Sequence, residues 1–203
     1  SVFARYVALC RSENVSFDLF DKSRPFMQAP FDAELDAEKE KPAASLFHAV
    51  PTGNNHVHFD HRLASGRTFT AAECLRGILA CNLFAVAMTG GYPSSVNDTP
   101  CYYVLLEGDN LFETLVLNML SKGECAEMEW DHPKIAWRDP APVVPKSQFA
   151  DVSMLGGLTW QPRRITLIPG ADESIQTMRF QPGRSFHQNG RWQDPHVSFA
   201  KNK

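Results

Sequence analysis

His56-x-His58-x-Asp60-His61 is the densest cluster of reactive side chains in the sequence. Imidazoles and a carboxylate at this spacing can hold one or two zinc ions that activate water for hydrolysis. Further ligands would come from His132, His187, His196 or Asp139. A second cluster is Thr89-Gly90-Gly91-Tyr92, followed by Pro93. Local sequence reads its glycine pair as a helix C-cap. The functional alternative is a backbone that approaches another backbone or a nucleic-acid groove because no side chain obstructs it. A third group is Arg163, Arg164, Arg179, Arg184 and Arg191, which on one hairpin face would contact phosphate and otherwise would be surface charge. There is no GxGxxG, P-loop, GxSxG or convincing triad, and no zinc-finger spacing.

The histidine cluster matches the HxHxDH pattern of the metallo-β-lactamase superfamily, but its context does not. That motif normally follows an apolar strand and precedes a glycine. Here Pro51-Thr52-Gly53-Asn54-Asn55 precedes it and Arg62-Leu63 follows. A zinc hydrolase using His56, His58, Asp60 and His61 is therefore the alternative reading. The favoured expectation is a binding protein with no catalytic residues, metal or cofactor.

The two polar clusters flank one helix. Ala71 to Met88 is the longest apolar run, with Thr70 and Glu73 placed as cap and third position of a capping box, and a glycine stop followed by proline at its end. Residues 2–10 read as the end of a helix, Val15–Phe20 as a short strand or extended turn, and Arg24–Pro30 as an extended segment with Phe26 and Met27 as core anchors. Residues 31–45 are charged and poor in large apolar groups, the pattern of an exposed linker or mobile loop. Leu46–Val50 and Cys101–Leu106 read as strands, the latter buried, and Asn110–Leu120 as a helix capped by Asn110. Residues 155–168 pass from a glycine turn into a strand, and Met178–Phe199 reads as a hairpin. The expected fold is α+β: a mixed α/β single domain with short strands and two main helices.

At 203 residues the chain can bury a sizeable core. No window supplies an uninterrupted transmembrane span, since Glu73 and Arg76 break the best candidate, so no membrane association is expected. Five cysteines in no paired spacing point to a reducing, cytoplasmic compartment. The sequence opens without Met and already in helical text, which reads as a piece of a longer protein. The net charge of −3 is unevenly spread: residues 160–203 hold seven Lys/Arg against three Asp/Glu, a net of +4 on an otherwise acidic body. That arrangement suits a subunit touching phosphate on one face.

Several stretches, in order, resemble the CasA family, the large subunit of the type I-E CRISPR surveillance complex Cascade. They are Phe17-Asp18-Leu19-Phe20 with Arg24–Gln28, Thr52-Gly53-Asn54-Asn55 with Phe59-Asp60-His61, the helix ending in Gly90-Gly91, Asn110–Leu120, Gly156–Arg163 (GLTWQPR among them), and Trp192–His196. The resemblance implies that residues 1–203 are a partial amino-terminal domain, without the family's first segment and carboxy-terminal four-helix bundle. It implies a non-catalytic subunit that recognises the protospacer-adjacent motif, aids duplex opening and helps recruit the helicase-nuclease for antiviral defence. Its partners would be the other Cascade subunits, crRNA, target double-stranded DNA and the helicase-nuclease. Phe59, Asp60 and His61 match the family loop that meets the crRNA 5′ end and the motif-bearing DNA. Thr89, Gly90, Gly91 and Tyr92 match the family's glycine loop in the DNA minor groove. The family's basic finger falls on Arg179 or Arg184. The four-cysteine zinc site of some members is not reproduced, so no zinc is expected.

Overall fold

The structure is a computed structural model and describes residues 2–12, 15–37, 40–47, 66–97, 102–121, 123, 148–191 and 194–198. Its frame is an antiparallel pair, β4 (Arg163–Pro169) and β5 (Ile175–Pro182), in register from Arg163 opposite Pro182 to Ile168 opposite Thr177. Strand β1 (Glu40–Pro42) completes a three-stranded sheet in the order β1-β5-β4. Side chains alternate across a strand, so Ile165 and Leu167 share one face with their cross-strand neighbours Phe180 and Met178. All four are buried.

Helix α2 (Ala71–Leu83) covers that apolar face. It starts where expected: Glu73 N–H donates to Thr70 Oγ1 at 3.3 Å, and Thr70 N–H donates to the Glu73 carboxylate at 2.8 Å. Cys74, Ile78 and Cys81 fall at helical spacing and pack into the core with Leu46 and Phe69. Burial pushes the thiols of Cys74 and Cys81 up to about 11, so both pack as neutral, weakly polar groups. The helix stops five residues before the expected Met88. Residues 85–95 instead fold back on themselves, with Ser95 N–H donating to Ala85 O at 2.8 Å. An apolar run fits either use of the chain, so the sequence pattern runs through this boundary.

The opposite face of the sheet is polar. Arg164 lies opposite Gln181, and Thr166 opposite Arg179. Residues 28–37 run along this face: of the exposed linker expected over 31–45, residues 31–34, 37 and 40 are exposed, whereas Asp36 and residues 41–45 pack into the fold. Asp36 is fully buried, β1 pairs with the sheet, and a 3-10 helix (Ala43–Leu46) joins the core. Of the strand expected at Leu46–Val50, Leu46 ends that helix and residues 48–50 lie outside the described residues. Arg164 grips the Asp36 carboxylate with two donors, Nε to Oδ1 at 2.9 Å and Nη2 to Oδ2 at 2.8 Å. Gln181 Nε2 and Asp32 N–H supply two more, at 2.6 and 2.8 Å. Four donors on one buried carboxylate explain how a charged segment can lie under a sheet.

Burial raises the Asp36 pKa, but the hydrogen bonds from Arg164 and Asp32 outweigh it and hold the carboxyl below the ordinary carboxylate range. A depressed folded-state pKa stabilises the fold above the unfolded value of about 3.9, and that stability is lost as pH falls through the lower folded value. The thermal midpoint should therefore drop on acidification from about pH 5 towards pH 2. Glu73 and Asp172 are lowered too and titrate in the same direction. The Asp36 share is the part of the pH slope missing from Asp36→Asn, and equal slopes in both proteins would remove it.

Four further expectations are corrected. Residues 24–30 are not simply extended: Gln28 N–H closes a turn onto Pro25 O at 3.1 Å, and Met27 sits at φ 56°, although it is buried as expected. Of the strand expected at Cys101–Leu106, among the described residues 102–106 only β2 (Tyr102–Tyr103) is a strand, and Val104, Leu105 and Leu106 are exposed. Residues 154–158 form a short helix, α4 (Met154–Leu158), rather than a glycine turn. The tail is not a hairpin: β5 already has partners on both sides, β6 (Ser185–Arg191) runs on to pair in parallel with β3 (Gln148–Asp151), and β7 (Val197–Ser198) pairs with β2. Helices α1 (Val2–Ser12) and α3 (Leu111–Leu117) match their expected positions, and the Asn110 side chain accepts from Glu113 N–H at 3.0 Å. The architecture is α+β, as expected.

Candidate nucleic-acid interface

Residues 85–95 form a narrow hairpin with the glycine pair at its apex. Met88 N–H donates to Tyr92 O at 3.1 Å, so Thr89, Gly90 and Gly91 make the turn itself. Gly90 has φ 87° and Gly91 φ 79°, both in the left-handed region that only glycine adopts at little cost. The pair is therefore not the C-cap of α2, whose cap residue is Phe84. Thr89, Gly90 and Gly91 are all exposed. A Cβ on Gly90 would meet only the Tyr92 ring, at 3.6 Å, so backbone conformation and not packing demands glycine there.

The turn stands on a rigid base. The Tyr92 ring stacks on Phe180 with centroids 5.7 Å apart, and its hydroxyl donates to Phe180 O at 3.3 Å. Arg163, only 3% exposed, reaches both strands of the stem. Its Nη2 donates to Val86 O at 2.7 Å on the outgoing strand, and its Nη1 donates to Pro93 O on the returning one. The guanidinium also lies 5.3 Å from the Tyr92 ring centroid. Burial lowers the Arg163 pKa, yet an arginine stays charged. Lys41 Nζ sits beside the same ring, 5.1 Å from its centroid and 3.4 Å from its hydroxyl. Two cations thus stand behind an exposed turn with no side chain at two successive positions. Such a surface can lie against an anionic groove with its amides forward.

The other candidate residues are placed differently. Arg184 is buried, and Arg179 is half-buried, with Nη1 donating to Asp36 O at 2.7 Å and its guanidinium 5.0 Å from the Phe31 ring centroid. Arg163 and Arg164 are buried as well, so these four arginines do not form an exposed phosphate-binding face. His56, His58, Phe59, Asp60 and His61 lie outside the described residues, as do His132 and Asp139. His196 holds its ring nitrogen 2.8 Å from Asn118 O. Among the described residues no group of three His, Cys, Asp or Glu is placed to hold a metal, and no helix is long and apolar enough to cross a membrane. Sequence reasoning placed Arg163 among phosphate contacts, whereas its role here is to fasten the hairpin. Its position directly after Trp160-Gln161-Pro162 in a conspicuous motif was the available signal.

Residues 5–203 match the family model described as CRISPR-associated protein Cse1. The chain is 28% identical over 177 residues to the CRISPR-associated protein CasA/Cse1 of Thermus thermophilus, an alignment covering 82% of this chain and 34% of that protein. The chain thus spans about a third of the curated relative's length. The solved structure of Thermus thermophilus CasA (Cse1) superposes with a TM-score of 0.62 at 19% identity, over 94% of this chain and 39% of that one. A chain in the structure of a CRISPR RNA-guided surveillance complex, pre-nicking, reaches 0.69 at 18% identity, over 96% and 40%.

Proposed function

The chain belongs to the CRISPR-associated Cse1 family, and on that premise we propose that it is the motif-reading, non-catalytic part of a Cascade large subunit. In this reading the turn Thr89–Tyr92 lies in the minor groove of the protospacer-adjacent motif, and Phe59, Asp60 and His61 touch crRNA or the adjacent DNA. The subunit aids duplex opening and helps recruit the helicase-nuclease in antiviral defence. Likeness to a chain in an RNA-guided surveillance complex supports the other Cascade subunits and crRNA as partners. Target DNA and the helicase-nuclease follow from the family resemblance. Arg179 and Arg184 remain the candidates for a basic finger, Arg179 being the more accessible.

The observation that carries this reading is the exposed pair of left-handed glycines on a stem fastened by Arg163. Minor-groove edges separate A·T from G·C but little more. A bare backbone with one or two side chains therefore suits relaxed motif reading, when guide pairing supplies most of the specificity.

The test compares Gly91→Asp with Gly91→Asn in reconstituted complex. Both residues tolerate positive φ better than most, and they match in size while differing in charge. Gly91→Asp should weaken binding to motif-bearing duplex about tenfold or more, equivalent to about 1.4 kcal/mol, and more than Gly91→Asn does. Both should cost about 1–2 kcal/mol of backbone strain, only a few degrees of melting temperature for a chain of this size. Equal binding by both variants and wild type, or losses that simply track unfolding, would count against the reading.

A further inference from the structure

We propose that a cleft beside α2 receives a protein segment, which inserts one aliphatic side chain and pairs its flanking main-chain amide with Asn82. The cleft holds about 130 Å³ and is lined by Leu79, Asn82 and Leu83 of α2, with Val96, Leu158 and Trp160 opposite. A cavity of about 150 Å³ admits benzene, so this one suits a single leucine-sized group. Leu79, Leu83 and Leu158 form an apolar rim, each exposed by about two-fifths.

Asn82 supplies the polar half of the argument. It is 3% exposed, and among the described residues neither its amide nitrogen nor its carbonyl oxygen has a hydrogen-bond partner. A buried carboxamide left unsatisfied at both ends is costly, and each such group in a native fold calls for a partner. Two of the polar groups beside it, Asn97 and Asp194, are already engaged. Asn97 Nδ2 donates to Tyr103 Oη at 3.0 Å and to Asp194 Oδ2 at 2.9 Å, while Asp194 Oδ1 accepts from His196 N–H at 2.8 Å. Asn82 therefore offers an unused donor–acceptor pair, the complement of a peptide N–H and C=O.

Charge selects the class of occupant. Among the described residues the lining contains one carboxylate, Asp194, and neither Lys nor Arg. A nucleic-acid strand would bring phosphate to a site whose described lining has no cation to meet it, whereas a protein segment brings both the amide and the aliphatic group. This site is separate from the glycine turn, and its test does not depend on DNA.

The experiment titrates the isotope-labelled full chain with N-acetyl-L-leucinamide, an aliphatic side chain between two amides, and follows the Asn82 side-chain amide and Trp160 indole signals by NMR. Saturable shifts of both are expected, with a dissociation constant on the order of 1 mM. N-acetylglycinamide should bind roughly tenfold or more weakly for lack of the apolar group. Uridine monophosphate should give no saturation. Asn82→Leu should fold with an unchanged or raised melting temperature, because removing an unsatisfied polar group is nearly neutral or stabilising, and should lose the leucinamide response about fivefold or more. The proposal fails if leucinamide shifts do not saturate, if the glycine analogue binds equally well, if the nucleotide saturates the site, or if folded Asn82→Leu binds undiminished. A marked fall in the melting temperature of Asn82→Leu would also overturn it, by showing that the amide is already satisfied within the fold.

Discussion

Asp36→Ala should lower the unfolding free energy by about 3–5 kcal/mol, the cost of breaking a buried ion pair from one side. For about 200 residues that is a fall of roughly 6–20 °C in melting temperature. The substitution strands the Arg164 guanidinium, 1% exposed at its side chain, and also leaves Gln181 Nε2 and Asp32 N–H without their carboxylate. Replacing both partners by apolar groups, Asp36→Leu with Arg164→Met, should cost less than Asp36→Ala alone, because no uncompensated charge remains. Chemical denaturation of the three variants measures this. A loss below about 1 kcal/mol in Asp36→Ala would place the pair in the class of solvent-screened surface bridges.

Gly183→Ala is the second large effect, and it is steric. A Cβ there would fall 2.7 Å from Arg163 N and from Pro162 C, and closer still to Gln161 O, all backbone atoms. The two segments cannot separate without giving up Gly183 N–H to Pro162 O and Arg184 N–H to Gln161 O, each 2.9 Å. The expected cost is about 3 kcal/mol, the upper end of overpacking. Because Arg163 sits at the collision, the substitution should also loosen the hairpin that Arg163 fastens and weaken DNA binding by the assembled complex. Urea denaturation and duplex affinity are the paired readouts. A Gly183→Ala protein of wild-type stability would mean that the two backbones are less closely apposed than described.

What could be read from the sequence was what is local. The Thr70–Glu73 box and the Asn110 cap depend on residues three apart, and both form as expected. The end of α2 was not legible, since Phe84 to Met88 continues the apolar run although those residues belong to a hairpin. Nor could the glycine pair be assigned, because a left-handed glycine serves equally as a helix stop or a turn. The largest departures involve long-range pairs. Asp36 looked like part of a solvated charge run, and Arg164 like part of a phosphate-binding face. They are 128 positions apart and satisfy each other in the interior. The tail resembled a hairpin because its strands follow each other directly, but β5 is already flanked by β1 and β4.

The central claim is that the turn at Thr89–Tyr92 rests in the motif's minor groove, and site-directed photocrosslinking addresses it directly. Thr89→Cys, carrying a short photoreactive group on its sulfur, is assembled into complex and irradiated with end-labelled duplexes that contain or lack the adjacent motif. Thr89 is exposed at the apex, so the label should not disturb the stem. The account predicts adducts concentrated within the motif and largely absent from the motif-lacking duplex. Adducts spread evenly along both duplexes, or confined to crRNA, would contradict it.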